Sequence, residues 1–155
     1  MARPVPLEED ARAGEPTRTQ ELTLNDADAV LQRQPFSVML NARIADFQPG
    51  RAVLVVPFSE SLVQQHGYIH GGVVAYAIDN AVTFAAGSVL GAAVLTSNIS
   101  VEYVSPCLDD IEATAWVAVS GTRSARCWCE VTVNETVCAV GQGSVRSAAG
   151  SVASR

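Results

Sequence analysis

Residues 70–90 read HGGVVAYAIDNAVTFAAGSVL, which predicts one long helix that starts at Gly71 and ends at Leu90. Its apolar residues fall on nearly every side of the helix, a pattern typical of an element that is buried all round. Asp79 is the only charged side chain between Gly71 and Leu90. A carboxylate in such surroundings is costly to desolvate unless it is paired or faces a wet pocket. Asp79 is therefore the first functional candidate, and the alternative is a structural carboxylate satisfied by backbone and hydroxyl donors.

The paired glycines at the start of this helix, Gly71 and Gly72, let a ligand approach the backbone closely. The first helical turn leaves N–H groups free at the positive end of the helix dipole, where they can stabilise an oxyanion. Gly71 and Asp79 are separated by about 12 Å along the helix, so they cannot touch one substrate carbon. If both act on one reacting centre, each must come from a different subunit. The sequence thus predicts a homodimer with shared sites.

Composition and charge exclude several classes of function. The chain has 155 residues, of which 48% are hydrophobic and 17% charged, as expected for one globular domain. Its net charge is −6 and it contains no lysine, so nucleic acid is not an expected partner and a Schiff-base or P-loop lysine is excluded. The four cysteines lack the spacing of a zinc site, and we expect no metal and no cofactor. They are interpreted as small buried hydrophobes in a reducing cytosol.

A membrane location is the alternative to a cytoplasmic one. The apolar stretch after Gly71 is long enough to span a membrane. However, no positive charge flanks it between Ala52 and Thr122, and strand-like segments follow at once. No export signal is visible in the first ten residues. We therefore expect a cytoplasmic protein with no membrane contact.

The remaining segments predict the domain organisation. Residues 1–21 predict a flexible N-terminal extension, residues 22–147 a single domain, and residues 148–155 a flexible tail. A short helix capped by Thr23 or Asn25 is expected to run to about Gln34. Strands are predicted at 38–47 and 51–58, joined by a Pro49-Gly50 type II turn. A third strand is predicted after Gly91 and ends at Ser105, and three more are predicted at about 111–119, 124–133 and 137–146.

This order of elements is a hairpin, a long apolar helix and then a four-strand meander. It predicts an α+β hot-dog fold, in which a curved antiparallel sheet of five to six strands wraps around one long buried helix. Pairing two subunits edge to edge would remove the open edge of such a sheet. A homodimer or a homotetramer built as a dimer of dimers is therefore expected.

The sequence resembles the hot-dog thioesterases of the PaaI-like, phenylacetate-degradation type, over roughly residues 38–146. The resemblance rests on Gly67-x-x-His70-Gly71-Gly72, on Asp79 nine residues after His70 with Asn80 beside it, and on Tyr103-Val104-Ser105-Pro106. It implies hydrolysis of an acyl-coenzyme A thioester to free acid and CoA.

The resemblance also implies roles for individual residues. The Gly71 N–H would polarise the thioester carbonyl, and Asp79 of the partner subunit would act as general base on water or as nucleophile. His70 would hold the site geometry, and Thr96 would lie near the attacking water, with Ser97 as the alternative. Relatives often have Asn six residues before the histidine, where this chain has Gln64. Gln64 is counted among the catalytic candidates, because its longer amide would orient the substrate or the water.

Substrate binding is assigned to Gly72, Asn80 and Ser97, which follow Gly71, Asp79 and Thr96 in the sequence, and to Arg123 and Arg126. Because lysine is absent, the CoA phosphates must meet arginine, backbone donors or solvent. Arg123 and Arg126 are the candidates, and the alternative is that they are ordinary solvated arginines.

Two other functions stay open on the same fold. One is a non-catalytic acyl-CoA binding or sensing module, and a less favoured one is a dehydratase or hydratase.

Overall fold

The computed structural model describes residues 22–148, in which six strands surround one long helix. The predicted tails, residues 1–21 and 149–155, lie outside the described residues. The elements are α1 (Leu24–Leu31), α2 (Pro35–Met39), β1 (Arg43–Gln48), β2 (Arg51–Val56), a 3₁₀ turn (Glu60–Leu62), α3 (Gly71–Leu90), β3 (Val94–Tyr103), β4 (Ile111–Ser120), β5 (Ser124–Val133) and β6 (Thr136–Ser147).

Helix α3 is the centre of the core, with the bounds that the sequence predicts. It packs against all six strands. Although its length and composition would suit a membrane span, half of its apolar window is buried inside the domain. Glycines let β6 approach it closely, because a Cβ at Gly141 would lie 2.8 Å from Ile78 Cγ2 and one at Gly143 would lie 2.7 Å from Val82 Cγ2. This is the predicted hot-dog fold.

The strand order is β1-β2-β4-β5-β6-β3, and every neighbouring pair is antiparallel. The predicted four-strand meander is therefore wrong, since β3 pairs with β6 and β4 pairs with β2. Tight turns join β4 to β5 and β5 to β6, whereas residues 104–110 form a longer connection that lets the chain cross to the β1–β2 hairpin. This crossing leaves β1 at one edge of the sheet and β3 at the other.

The segment before β1 also differs from the prediction. Residues 38–42 are not strand, because Pro35 opens helix α2 at a position that proline favours, and β1 begins only at Arg43. Asn41, with φ of 57°, follows that helix in the left-handed region. Two hydrogen bonds tie α1 to this region: Gln32 Nε2 donates to Ala42 O at 3.1 Å, and the Ile44 N–H donates to Asp28 Oδ1 at 3.1 Å. Helix α1 is thereby fixed beside β1.

The cysteines are all free and buried, as predicted: Cys107, Cys127, Cys129 and Cys138. Burial raises the pKa of Cys127 to about 11. Burial also raises the pKa of Cys129 to about 12, with smaller contributions from Cys127 and Glu130. The Cys127 and Cys129 thiols therefore stay protonated at neutral pH and are not nucleophiles.

Candidate active site

Asp79 forms part of the wall of a surface cleft and is half-buried on α3. Its Oδ1 atom is buried and accepts no hydrogen bond from any residue between 22 and 148. A buried polar atom without a partner costs about 1–3 kcal/mol, so a carboxylate is retained in this way only with a reason. The structural alternative, a carboxylate fully satisfied by protein donors, does not fit Oδ1.

A hydrogen-bonded chain from α2 lines the same cleft. Tyr76 Oη donates to Ser37 Oγ at 2.6 Å, and Ser37 Oγ donates to Gln34 Oε1 at 2.8 Å. Phe36 packs edge-on against Tyr76 with ring centroids 5.3 Å apart. Burial raises the pKa of Tyr76, and the nearby charge of Asp79 raises it further, while the hydrogen bond to Ser37 opposes the shift. Tyr76 is thus a protonated donor beside the carboxylate.

Sequence reasoning missed the α2 contribution to this cleft. Gln34 and Phe36 line the cleft, but the sequence pattern gives them no role, because the residues after Phe36 predict a strand. The available signal was Pro35, which marks a helix start.

A β-bulge in β3 positions Thr96. The register skips from Thr96↔Val145 to Asn98↔Ser144, so Ser97 is the extra residue. Thr96 and Thr83 hydroxyl oxygens lie 2.7 Å apart, and Thr83 Oγ1 donates to the Asp79 carbonyl oxygen at 2.7 Å. Thr96 therefore contacts Thr83, which lies one helical turn after Asp79 and which the sequence reasoning did not single out.

Two other predicted binding residues make hydrogen bonds to backbone. Ser97 Oγ donates to Ser144 O at 3.1 Å. Asn80 Nδ2 donates to Tyr76 O at 3.3 Å, and Asn80 lies in the same cleft as Asp79 and Gly72.

The start of α3 presents a free donor. His70 caps the helix, because its Nδ1 accepts the Gly72 N–H at 2.9 Å. The Gly71 N–H has no acceptor in the described part of the chain. Tyr103 Oη donates to Gly71 O at 2.8 Å, and a Cβ on Gly71 would lie 3.2 Å from the Tyr103 ring. The Gly71 amide is thus held in place and left available.

Gln64 lies with Gly71 in a second cleft, together with Tyr103 and Ser105. Its Oε1 accepts the His66 N–H at 2.6 Å, and its own backbone N–H donates to Tyr68 O at 2.8 Å. The predicted catalytic residues therefore fall into two groups within one chain. Gln64 and Gly71 lie at the helix start, whereas Asp79 lies about 12 Å further along the axis.

Arg123 and Arg126 come together in a pocket on the outer face of the sheet, where Arg146 joins them. Sequence reasoning missed Arg146, which the β5–β6 register places opposite Ser124. None of the three forms an ion pair with a described residue. Within residues 22–148, no three His, Cys, Asp or Glu side chains lie close enough to hold a metal ion.

Comparisons with known proteins agree with this fold. Residues 66–139 match the family model of the Thioesterase superfamily. A thioesterase family protein from Silicibacter pomeroyi is 29% identical, with a TM-score of 0.75 over 78% of this chain and 94% of that one. The PaaI protein of E. coli is 21% identical, with a TM-score of 0.74 over 79% of this chain and 91% of its own. A mutant of the phenylacetic acid degradation protein PaaI from Thermus thermophilus is 24% identical, with a TM-score of 0.69 over 74% of this chain and 99% of its own.

At these identities the two PaaI structures show the fold alone. No curated protein gives a significant match. Fold and matched region together are similar to those of the hot-dog thioesterases. The match of residues 66–139 to the Thioesterase superfamily agrees with the resemblance seen in the sequence. This match supports a thioester hydrolase activity.

Proposed function

We propose that the protein hydrolyses acyl-coenzyme A thioesters to free acid and CoA, in a site that two copies of the chain share. The observation that carries this proposal is the buried, unpartnered Oδ1 of Asp79 at the wall of an open cleft, within the part of the chain that the structure describes. A group that is costly to bury and faces a cleft is placed for chemistry rather than for stability.

The proposed reaction uses Asp79 as a general base. Its carboxylate takes a proton from water while the water oxygen attacks the thioester carbon. The carbonyl electron pair moves to oxygen, and the Gly71 N–H of the other subunit stabilises this oxyanion. Collapse of the intermediate expels the CoA thiolate, which takes up the proton held by Asp79. Direct attack by Asp79, followed by hydrolysis of the mixed anhydride, is the second route that this geometry supports.

A second subunit is needed because of the distance along α3. The Gly71 amide and the Asp79 carboxylate are about 12 Å apart in one chain, too far to act on one carbonyl. Strand β3 supports pairing of two copies, since it has β6 on one side and no strand on the other among residues 22–148. Leu95 at the start of this edge strand is 65% exposed, and Val104 just after its end is 61% exposed. A two-fold contact along β3 would extend the sheet and cover such residues.

The arginine pocket is proposed to hold the phosphates of CoA. Arg123, Arg126 and Arg146 are exposed, without acidic partners among the described residues, and lie together in a chain of net charge −6. Guanidinium groups bind phosphate oxygens in pairs of hydrogen bonds. Ser124 and Ser144 line the same pocket and add hydroxyl donors.

The test is release of free thiol from a panel of acyl-CoAs by the wild-type protein and by Asp79→Ala. Glu112→Gln, which removes an exposed carboxylate on β4, is the matched control. The proposal expects thiol release by the wild type and the control, and little by Asp79→Ala. Equal rates for all three would refute the role of Asp79. Tight binding of acyl-CoA without turnover by the wild type would establish the binding or sensing module instead.

A further inference from the structure

We infer that Gln34 holds the water that attacks the thioester, and that Tyr76 and Ser37 fix the orientation of its amide. This inference rests on the proposed acyl-CoA hydrolysis and adds one catalytic residue, which contacts the water, and two positioning residues, which act through it. Gln34 is the N-cap of α2, and Ser37 lies within that helix. Tyr76 lies on α3, three residues before Asp79. The short helix α2 therefore takes part in the reaction together with α3.

The hydrogen bonds of this chain of side chains run in one direction. Tyr76 Oη donates to Ser37 Oγ at 2.6 Å, so the single hydroxyl proton of Ser37 is left for Gln34 Oε1, which accepts it at 2.8 Å. Burial raises the pKa of Tyr76, as does the charge of Asp79, so Tyr76 keeps the first proton of the chain. Because Ser37 occupies Oε1, the two Nε2 hydrogens of Gln34 remain as donors. They meet no acceptor among residues 22–148.

A structural role explains only part of this arrangement. Ser37 is fully buried, and its hydroxyl joins α2 to α3 through Tyr76. Gln34 occupies the N-cap position of α2, yet its side chain makes no capping hydrogen bond to that helix. The side chain instead lines the Asp79 cleft. Helix capping therefore does not account for an amide at this position.

Gln34 and Asp79 have complementary groups free in the same cleft. In the described part of the chain, Gln34 Nε2 has no acceptor, Asp79 Oδ1 has no donor, and the two side chains do not bond to each other. Tyr76 and Asp79 are three residues apart, so both lie on one face of α3. One water in the cleft can donate to the carboxylate and accept from the amide. Two such polar partners are enough to hold a water in place.

A water held in this way keeps one lone pair free for the thioester carbon. As the new C–O bond forms, an O–H bond of the water breaks, its proton passes to Asp79, and the carbonyl electron pair moves to oxygen. Gln34 gains and loses no proton, so its contribution is to orient the water. Because Gln34 contacts the water and not acyl-CoA, its loss should lower kcat and leave KM unchanged.

The first experiment measures kcat and KM of Gln34→Met with the acyl-CoA that the wild type cleaves fastest. Methionine keeps the length of the side chain and removes the amide, so kcat should fall about tenfold, as expected for one hydrogen bond, with KM unchanged. Gln142→Met, at an exposed position of β6, is the matched control and should behave as the wild type. A rise in KM at unchanged kcat would overturn the inference, because it would place Gln34 against the substrate.

A second variant separates the donor from the structural contact. Gln34→Glu keeps an oxygen that accepts the Ser37 hydroxyl and removes the Nε2 donors. It should lose at least as much kcat as Gln34→Met, about tenfold. Wild-type kcat in Gln34→Glu would show that only the contact to Ser37 matters and would overturn the inference.

Tyr76→Phe tests whether the chain acts through Gln34. Phenylalanine removes the Tyr76 hydroxyl and keeps the ring that packs against Phe36. The variant should lower kcat in the wild-type background, with KM unchanged. In the Gln34→Met background it should lower kcat no further, because the amide that Tyr76 orients is already absent. Losses that multiply in the double variant would overturn the positioning role of Tyr76.

The outcomes separate this inference from the proposed reaction. If the wild type releases thiol, Asp79→Ala does not, and Gln34→Met equals the wild type, only the role of Gln34 is wrong. If the wild type releases no thiol from any acyl-CoA of the panel, the proposed function is wrong, and the role of Gln34 in that reaction is wrong with it.

Discussion

Replacing Asp79 by asparagine should stabilise the protein and nearly abolish its activity in the same variant. The substitution keeps the shape of the side chain and removes the charge of a carboxylate whose Oδ1 is buried without a partner among residues 22–148. If Asp79 were retained because it stabilises the fold, its replacement by asparagine would lower the free energy of unfolding. The variant therefore separates a catalytic role from a structural one.

The two magnitudes follow from the surroundings of Asp79. An unpartnered buried polar atom costs about 1–3 kcal/mol, and asparagine relieves the charged part of that cost, so we expect a gain of about 1–2 kcal/mol. For a domain of this size, that gain corresponds to a rise in Tm of about 3–8 °C. Loss of a general base lowers kcat by about 10²–10⁴-fold.

Thermal unfolding followed by circular dichroism gives the Tm, and thiol release from acyl-CoA gives kcat. Glu112→Gln, an exposed change of the same chemistry, should alter neither quantity. A variant that keeps more than about a tenth of wild-type kcat would refute the general-base argument, since a base contributes at least about 10²-fold. A lower Tm would refute the claim that Asp79 is held at a cost.

Three further predictions test other parts of the account. Replacing Arg126 and Arg146 by glutamine should raise KM for acyl-CoA by about tenfold, because charge-assisted hydrogen bonds are lost, and should leave KM for an acyl-pantetheine without nucleotide unchanged. Arg43→Gln, which changes an exposed arginine on β1, is the control. An equal effect on both substrates would contradict the assignment of the phosphate site. The pKa of the Cys127 thiol is raised to about 11 and that of Cys129 to about 12, so the folded state holds these protons more tightly than the unfolded state. Their contribution to stability is complete below the ordinary thiol pKa and is lost as pH rises towards 11–12, by at most about 1.4 kcal/mol per pH unit for each thiol; urea unfolding between about pH 8 and 10.5 measures this, and a free energy of unfolding that rises over this range would contradict it. Gly141→Ala should destabilise the fold by about 1–3 kcal/mol, because its Cβ would lie 2.8 Å from Ile78, whereas Gly121→Ala, with nothing nearer than 4.0 Å, should be close to neutral in the same unfolding assay.

The central helix could be predicted from the sequence because its signals are local. An apolar pattern on all sides, paired glycines at its start and Gly91 after its end predict the bounds of α3 to the residue. The hairpin turn was likewise readable from Pro49-Gly50, and Gly50 has the positive φ of 78° that a type II turn requires. In both cases the residue types alone demand the conformation.

The order of strands depends on contacts that are distant in sequence. Nothing in the alternation of residues 94–103 indicates whether β3 pairs with β4 or with β6. The arginine pocket likewise depends on contacts that are distant in sequence, because only the β5–β6 pairing brings Arg146 near Arg123. The α2 segment was missed for a different reason: a five-residue helix is too short to show a period, and its buried Ser37 appears polar in sequence.

The Asp79–Gly71 separation follows from helix geometry, because both residues lie in α3. Whether two chains complete one site is the claim on which the proposed mechanism depends. A variant that removes the Gly71 amide can test it. Gly71→Pro deletes this N–H at the first helical position, which proline favours, and His70 already has the φ of −59° and ψ of 134° that suit a residue before proline. Gly71→Ala places a Cβ at the same point near Tyr103 but keeps the amide, and so is the matched control.

The decisive measurement is thiol release by an equal mixture of Asp79→Asn and Gly71→Pro chains, unfolded together and refolded. Each variant alone should be nearly inactive. A shared site predicts that half of the dimers are mixed and that each mixed dimer has one intact site, so activity recovers to about a quarter of wild type. If the mixture shows only the summed residual activities of the two variants, the two groups do not act across a subunit contact and the account is wrong.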